Sequence, residues 1–378
     1  MKKALLVLLL LAFVAGGLFA QFSFTGVVNG GFAMVKQGDD DMTFGVSGKA
    51  QANNGGRAQF NVNYTNEAKT AGLAIRVRFN GMANSVVQPR IAQGWISGLD
   101  GMLTVYGGRF GGSVFATMDP VSDSCYFLDT WMGLYGLIKP IDMVTIGLGA
   151  TAAVPSFGVN FDDEKTVNGS SGIPGNDKAK GVIAFRVDVP DLLNFAAAVQ
   201  LGGFKGDYNA YLTFKVFAVK DVNIAATARL LHVDDFSDAG QMIFYEYFGF
   251  NGVENLSVNL GLAQSLLQAD GSDLYFRAWF WLTYAIGNIV PRLDVNYIMG
   301  GTYAYGSLNQ NWDFEGNWKH NEAWSMLAIS PSVQFRISGS TFFDIGYAAY
   351  VGLGDTKKDA KAFDTMNHAV YLELQTSF

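Results

Sequence analysis

The chain has 378 residues, among them 45 glycines, 8 prolines, one cysteine and 14% aromatic residues. Its 33 acidic against 26 basic side chains give a formal charge of -7, the opposite of the basic footprint that a nucleic-acid binder carries. The lone Cys125 excludes an internal disulfide, so nothing covalent staples the fold.

The first twenty residues, MKKALLVLLLLAFVAGGLFA, set two lysines before an apolar run and end in small residues. That is the layout of a secretory signal peptide, with cleavage expected after Ala20 and residues 21–378 left as one domain. No later stretch is apolar over 18 residues, so no helical span is expected. An exported chain of this kind can still cross a membrane as a closed β-barrel, whose backbone groups all pair internally.

From Phe22 onward the period is two. FSFTGVVNGGFAM puts Phe22, Phe24, Val28, Phe32 and Met34 on one face, and the segment KQGDDDMTFGVSGKAQANNGG then reads as an excursion. Within it MTFGVSGKAQA alternates as well and is expected to lengthen the first hairpin. RAQFNVNYT sets Phe60, Val62 and Tyr64 against Arg57, Gln59, Asn61 and Asn63. GLAIRVRF sets Leu73, Ile75, Val77 and Phe79 against Arg76 and Arg78. The same alternation recurs in VIAFRVDV, AYLTFKVFA, VNIAATARLL, LYFRAWFWLTY, PRLDVNYIM, SVQFRIS, FFDIGYAAYVGL and the terminal HAVYLELQTSF.

Alternation fits both a soluble sandwich and a transmembrane barrel, and three features favour the barrel. Segments of about 9–13 residues suit a tilted crossing of a bilayer. Connections alternate between short ones (TNEAKT, GLDG, KPID, PDLLN, KDV, NGVEN, IGN, SGS) and long ones, the longest being Gly111–Thr130, Val154–Lys180 and Gly301–Asn321. The polar face carries more charge than a second packed sheet tolerates. Counting back from Phe378 predicts an all-β, antiparallel up-and-down barrel of eighteen strands, with sixteen as the alternative if the hairpin at GFNGVENLS is misread. The last strand must then close on the first, and Phe378 belongs to the aromatic girdle on the side of the short turns.

Parity sends Arg57, Arg76, Arg78, Arg186, Lys215, Arg229, Arg277, Arg292 and Arg336 to the interior, together with Asp188, Glu246, Asp294, Asp344 and Glu373. Nine basic against five acidic positions in an acidic chain predict a pore with a modest anion preference. Tyr275, Trp279 and Trp281 fall on the same face as Arg277 and form a candidate aromatic track for sugar-type or amphipathic solutes. The three histidines, His232, His320 and His368, show no metal-ligand spacing and no nucleophile motif accompanies them, so neither catalysis, metal nor cofactor is expected. Acidic loops are compatible with an adhesin on a barrel scaffold, without indicating one.

The stretch RIAQGWISGLDGMLTVYGGRFGGSVFATMDPVSD resembles the strand–turn–strand and third loop of general bacterial porins, and RAQFNVNYTNEAKTAGLAIRVRF resembles the hairpin before it. Together they cover residues 57–123, about a fifth of the chain beyond the leader. In style the whole chain is also similar to the porin-type barrels of spirochaete outer membranes. The resemblance implies an outer-membrane channel in which small solutes and ions diffuse passively. It implies an inward-folded third loop, with Arg109 at the constriction facing Asp119 and Asp123. For this, a bulge at Gly107-Gly108 must turn Arg109 inward, because it shares parity with Leu103 and Val105. It further implies outer-membrane lipid, the barrel assembly machinery (reading Phe378 as its signal) and a homotrimer as partners.

Overall fold

The computed structural model describes residues 20–36, 42–47, 57–80, 86–109, 131–153, 179–201, 209–231, 241–268, 276–299, 325–353 and 367–378. Residues 1–19 of the predicted leader, the third loop with Asp119 and Asp123, Tyr275, and the other long connections lie outside them.

Among the described residues, alternating β-branched and aromatic residues build nineteen strands in chain order. They are β1 (Ala20–Lys36), β2 (Thr43–Ser47), β3 (Arg57–Asn66), β4 (Ala71–Asn80), β5 (Val86–Gly98) and β6 (Leu103–Arg109). Next come β7 (Trp131–Ile141), β8 (Val144–Ala153), β9 (Ala179–Val189), β10 (Leu193–Leu201), β11 (Asn209–Val216), β12 (Val222–Leu231) and β13 (Gln241–Phe250). The last six are β14 (Leu256–Gln268), β15 (Phe276–Tyr284), β16 (Ile289–Met299), β17 (Ser325–Arg336), β18 (Thr341–Leu353) and β19 (Asn367–Ser377). Each pairs antiparallel with its neighbours, and β19 returns to β1 to close the cylinder.

β2 and β3 share one position beside β1. Thr43–Ser47 pairs with Gly31–Val35, and Arg57–Asn66 continues along Ala20–Asn29. Nineteen strands therefore make eighteen staves, and the hairpin between β13 and β14 is present with Asn251–Asn255 as its turn. MTFGVSG does lengthen the first hairpin, over Thr43–Ser47.

The short turns gather at one end and carry the left-handed residues such reversals need. Asp100, Asp191, Asp221 and Asn255 have positive φ there, a conformation that Asx side chains tolerate. The turn after β3 is closed by Asn66, whose Oδ1 accepts the backbone N–H groups of Thr70 (2.8 Å) and Ala71 (3.0 Å). One predicted turn moves: KPID is not the reversal, because β7 continues through Lys139 and Pro140 to Ile141. A register shift between Ile138 and Ile141 accommodates the proline, which has no N–H to offer the ladder.

The two faces differ as the alternation requires. Phe24, Phe32, Phe60, Ile75, Phe79, Leu134, Leu148, Ile183, Leu212, Leu260, Ile345 and Leu374 stand exposed on the outside. Asn29, Thr145, Thr213, Thr227, Ser330, Ser332, Asp344 and Glu373 are buried on the inside. Such an apolar outer band is stable only against hydrocarbon, and closure leaves no strand edge exposed to it.

Candidate channel lining

Strands β3 and β4 carry the clearest basic surface. Registers place Arg76 opposite Asn61 and Arg78 opposite Gln59, all on the inner face. Arg76 Nε donates to Asn61 Oδ1 at 2.7 Å, and the Asn61 amide donates onward to Thr25 Oγ1 at 3.0 Å. Arg78 donates from Nε and Nη2 to Gln59 Oε1 at 3.0 and 2.9 Å. These amide partners orient the guanidinium groups without cancelling their charge. Arg57 lies opposite Asn29 and Asn80 in register.

Elsewhere inward bases meet acids or rings. Arg186 contacts Asp188 Oδ1 through Nε (2.8 Å) and Nη2 (2.7 Å), and the Asn194 amide donates to the same oxygen. The Lys215 ammonium stands 4.9 Å from the centroid of Phe217. Arg229 is opposite Tyr211 and Ile243 in register. Arg292 Nη1 is 3.7 Å from Asp344 Oδ2, while Asp294 sits between Trp281 and Ser330 in register. Arg336 is exposed beside the last short turn.

Of the aromatic track, Trp279 and Trp281 share the inward face with Arg277. The guanidinium carbon of Arg277 lies 4.1 Å above the Trp279 ring, and its Nη2 donates to Asn296 Oδ1 at 3.2 Å. Trp279 is only 4% exposed beneath it, whereas Trp281 is half-buried.

Two residues take a different side from the one expected. In register Arg109 is opposite the exposed Ala92 and opposite Met132, and the ladders through β6 carry no register shift. Gly108 does have φ +119, where a Cβ would stand 2.2 Å from the Ala92 carbonyl oxygen, but pairing continues through it. Glu246 also faces outward: its partners are Ala226 and Leu262, and Phe244 and Phe248 flank it on the same face. The inner acids among the described residues are therefore Asp188, Asp294, Asp344 and Glu373, which strengthens the basic excess.

Parity could not show the aromatic–glycine seats of the inner wall. Tyr106 stacks on Tyr135 at 4.7 Å and 8°, Trp95 lies against Gly72, and Tyr371 lies across Gly346. At the closing seam the Asn29 amide donates to Glu373 Oε1 at 3.0 Å, with the two residues 0% and 1% exposed. Each seat depends on a partner far along the chain, so only the register reveals it.

No family model and no curated protein matches the chain. Solved structures do match it. OpdQ of Pseudomonas aeruginosa superposes with a TM-score of 0.53 at 9% identity over 95% of this chain and 97% of its own. OccAB4 of Acinetobacter baumannii gives 0.53 at 9% identity over 95% and 98%. OprD of Pseudomonas aeruginosa gives 0.51 at 10% identity over 95% of each. The chain has the fold of bacterial outer-membrane porins, and its apolar outer band is that of a membrane-spanning barrel.

Proposed function

We propose that the barrel is a water-filled channel for passive diffusion of small hydrophilic solutes and ions, with a modest preference for anions and no chemical step. The observation that carries this reading is the inward pair Arg76 and Arg78, whose guanidinium groups are oriented by hydrogen bonds to Asn61 and Gln59. Fixed positive charge in a low-dielectric wall raises the local concentration of anions. The fold shared with porins supports passage through the cylinder, and the anion preference rests on the lining alone. Purified protein in a planar bilayer under a salt gradient tests both parts. Discrete conductance with an anion-side reversal potential is expected, and strong cation selectivity or no conductance overturns the reading.

A second reading has its own observation. Arg277 over Trp279, with Trp281 and Asn296 beside them, offers stacking and hydrogen bonding to a sugar ring. Block of the current by an oligosaccharide at micromolar levels would favour a sugar-type channel over general diffusion.

A further inference from the structure

The short turns carry side chains that turns ordinarily avoid. Leu99, Leu192, Val219, Val253, Ile286 and Ile337 stand one to a turn, after β5, β9, β11, β13, β15 and β17, and each is between 46% and 68% exposed. Reversals in water are dominated by Gly, Pro, Asn, Asp and Ser. Two of these tips are outward by pairing. Ile286 bridges Ile289, which is opposite the exposed Phe335, and Ile337 follows Phe335 by two residues. The apolar outer row therefore runs on past the strand ends. The turn backbones are also closed on themselves. Ile286 and Ile289 exchange both bonds at 2.8 and 3.0 Å, and the Ile337 N–H donates to the Thr341 carbonyl at 2.9 Å. The carbonyls of Leu99, Val219 and Val253 accept the N–H groups of Met102, Val222 and Leu256 at 3.0, 3.2 and 3.1 Å. Paired backbone is what a segment needs in order to leave water. On the same turns Asp100, Asp191, Asp221 and Glu254 are exposed acids, which hold the tips out of the hydrocarbon itself.

We infer that the short-turn end does not project into water but lies in the headgroup–acyl boundary of the adjoining leaflet, with these aliphatic side chains inserted and the acids on the aqueous side. Apolar and charged side chains side by side on one segment are what that boundary accommodates. Lipid is the occupant because the tips continue the outer band that already faces it, and they are spread round the cylinder from β5 to β18. Consecutive tips from β9 to β18 are two strand spacings apart, about 10 Å. Single side chains at that spacing, each beside polar neighbours, give a protein partner no contiguous apolar patch, whereas lipid molecules fill the gaps. The inference rests on the membrane-spanning barrel and not on solute passage.

The test uses the full chain in a Cys125→Ser background, one barrel per phosphatidylcholine nanodisc, so that both faces meet the solution. Val253→Cys, Ile286→Cys and Ile337→Cys each carry a nitrobenzoxadiazole label, and folded barrels are selected by their heat-modifiable migration on gels. Glu67→Cys, on the turn after β3 that has no large apolar residue, sets the value for water. Ile75→Cys, exposed on β4, sets the value for lipid. Iodide quenches from the water, and a phospholipid with a nitroxide near the headgroup end of its acyl chain quenches from the bilayer. The three tip labels are expected to resist iodide several-fold better than the Glu67→Cys label and to be quenched by the nitroxide lipid. Iodide access equal to that of Glu67→Cys overturns the inference. So does protection from iodide without nitroxide quenching, which would mean that protein and not lipid covers the tips.

Discussion

The ring of Phe378 lies over Gly26 on the outer face of the barrel, across the seam where the last strand meets the first. A Cβ on Gly26 would stand 2.3 Å from the ring's Cζ, so only glycine leaves room for it. The backbones of the two residues also exchange both hydrogen bonds, at 2.7 and 3.0 Å. From there the ring reaches Phe60, 6.0 Å away between centroids, and Phe60 meets Phe79 edge-on at 6.0 Å. The terminal residue thus ties four adjacent staves together.

Replacing Gly26 by valine should push the ring off its seat and destabilise the closed barrel by about 1–3 kcal/mol, the usual cost of overpacking. Phe378→Ala should cost a similar amount by removing the ring. The urea midpoint of unfolding from lipid vesicles measures both. If the double variant costs as much as the two singles added, the rings and glycine are not coupled.

On the inner side of the same seam, Glu373→Ala would leave the buried Asn29 amide without its acceptor. A loss of about 1–3 kcal/mol is expected for a stranded buried donor, and Glu373→Gln, which keeps an acceptor oxygen, should recover most of it. The same denaturation measurement ranks the three proteins. Equal stability of the alanine and glutamine variants would mean that the hydrogen bond contributes little.

Charge removal addresses the channel itself. Arg76→Gln with Arg78→Gln should lower the anion-to-cation permeability ratio by a few-fold, since one charge at close range in water is worth about 1 kcal/mol to an ion. Thermal stability should change little, because both residues face the lumen and bond to exposed or half-buried amides. A reversal potential identical to that of the parent would place the selectivity elsewhere.

Trp279→Ala removes the surface beneath Arg277. Loss of the cation–π contact is worth about 1 kcal/mol, beyond the cavity left by a buried indole. If sugars use this wall, the half-buried Trp281→Ala should weaken oligosaccharide block more than it weakens the fold. Unchanged block in both variants would remove the sugar reading.

The sequence by itself determined the class of object. Period-two alternation is a local property of each strand, and together with the uneven connection lengths it implies a cylinder between two solvents. It also assigned Arg76, Arg78, Arg186, Arg277 and Asp294 to the inner face, because unambiguous apolar neighbours flank them. The first hairpin and the number of staves were legible for the same reason.

Only the tertiary structure decided what depends on register. QMIFYEYFGF carries aromatic residues on both faces, so nothing local says which way Glu246 points, and its pairing with Ala226 and Leu262 does. Arg109 follows a double glycine that admits a bulge, and the unbroken ladder keeps it on the side of Ala92 and Met132. The seats of Phe378 on Gly26 and Tyr371 on Gly346 join strands that the alternation describes one at a time. Side-chain direction is set within a strand, but contact requires knowing which residue stands across from it, and that is fixed by closure of the whole sheet.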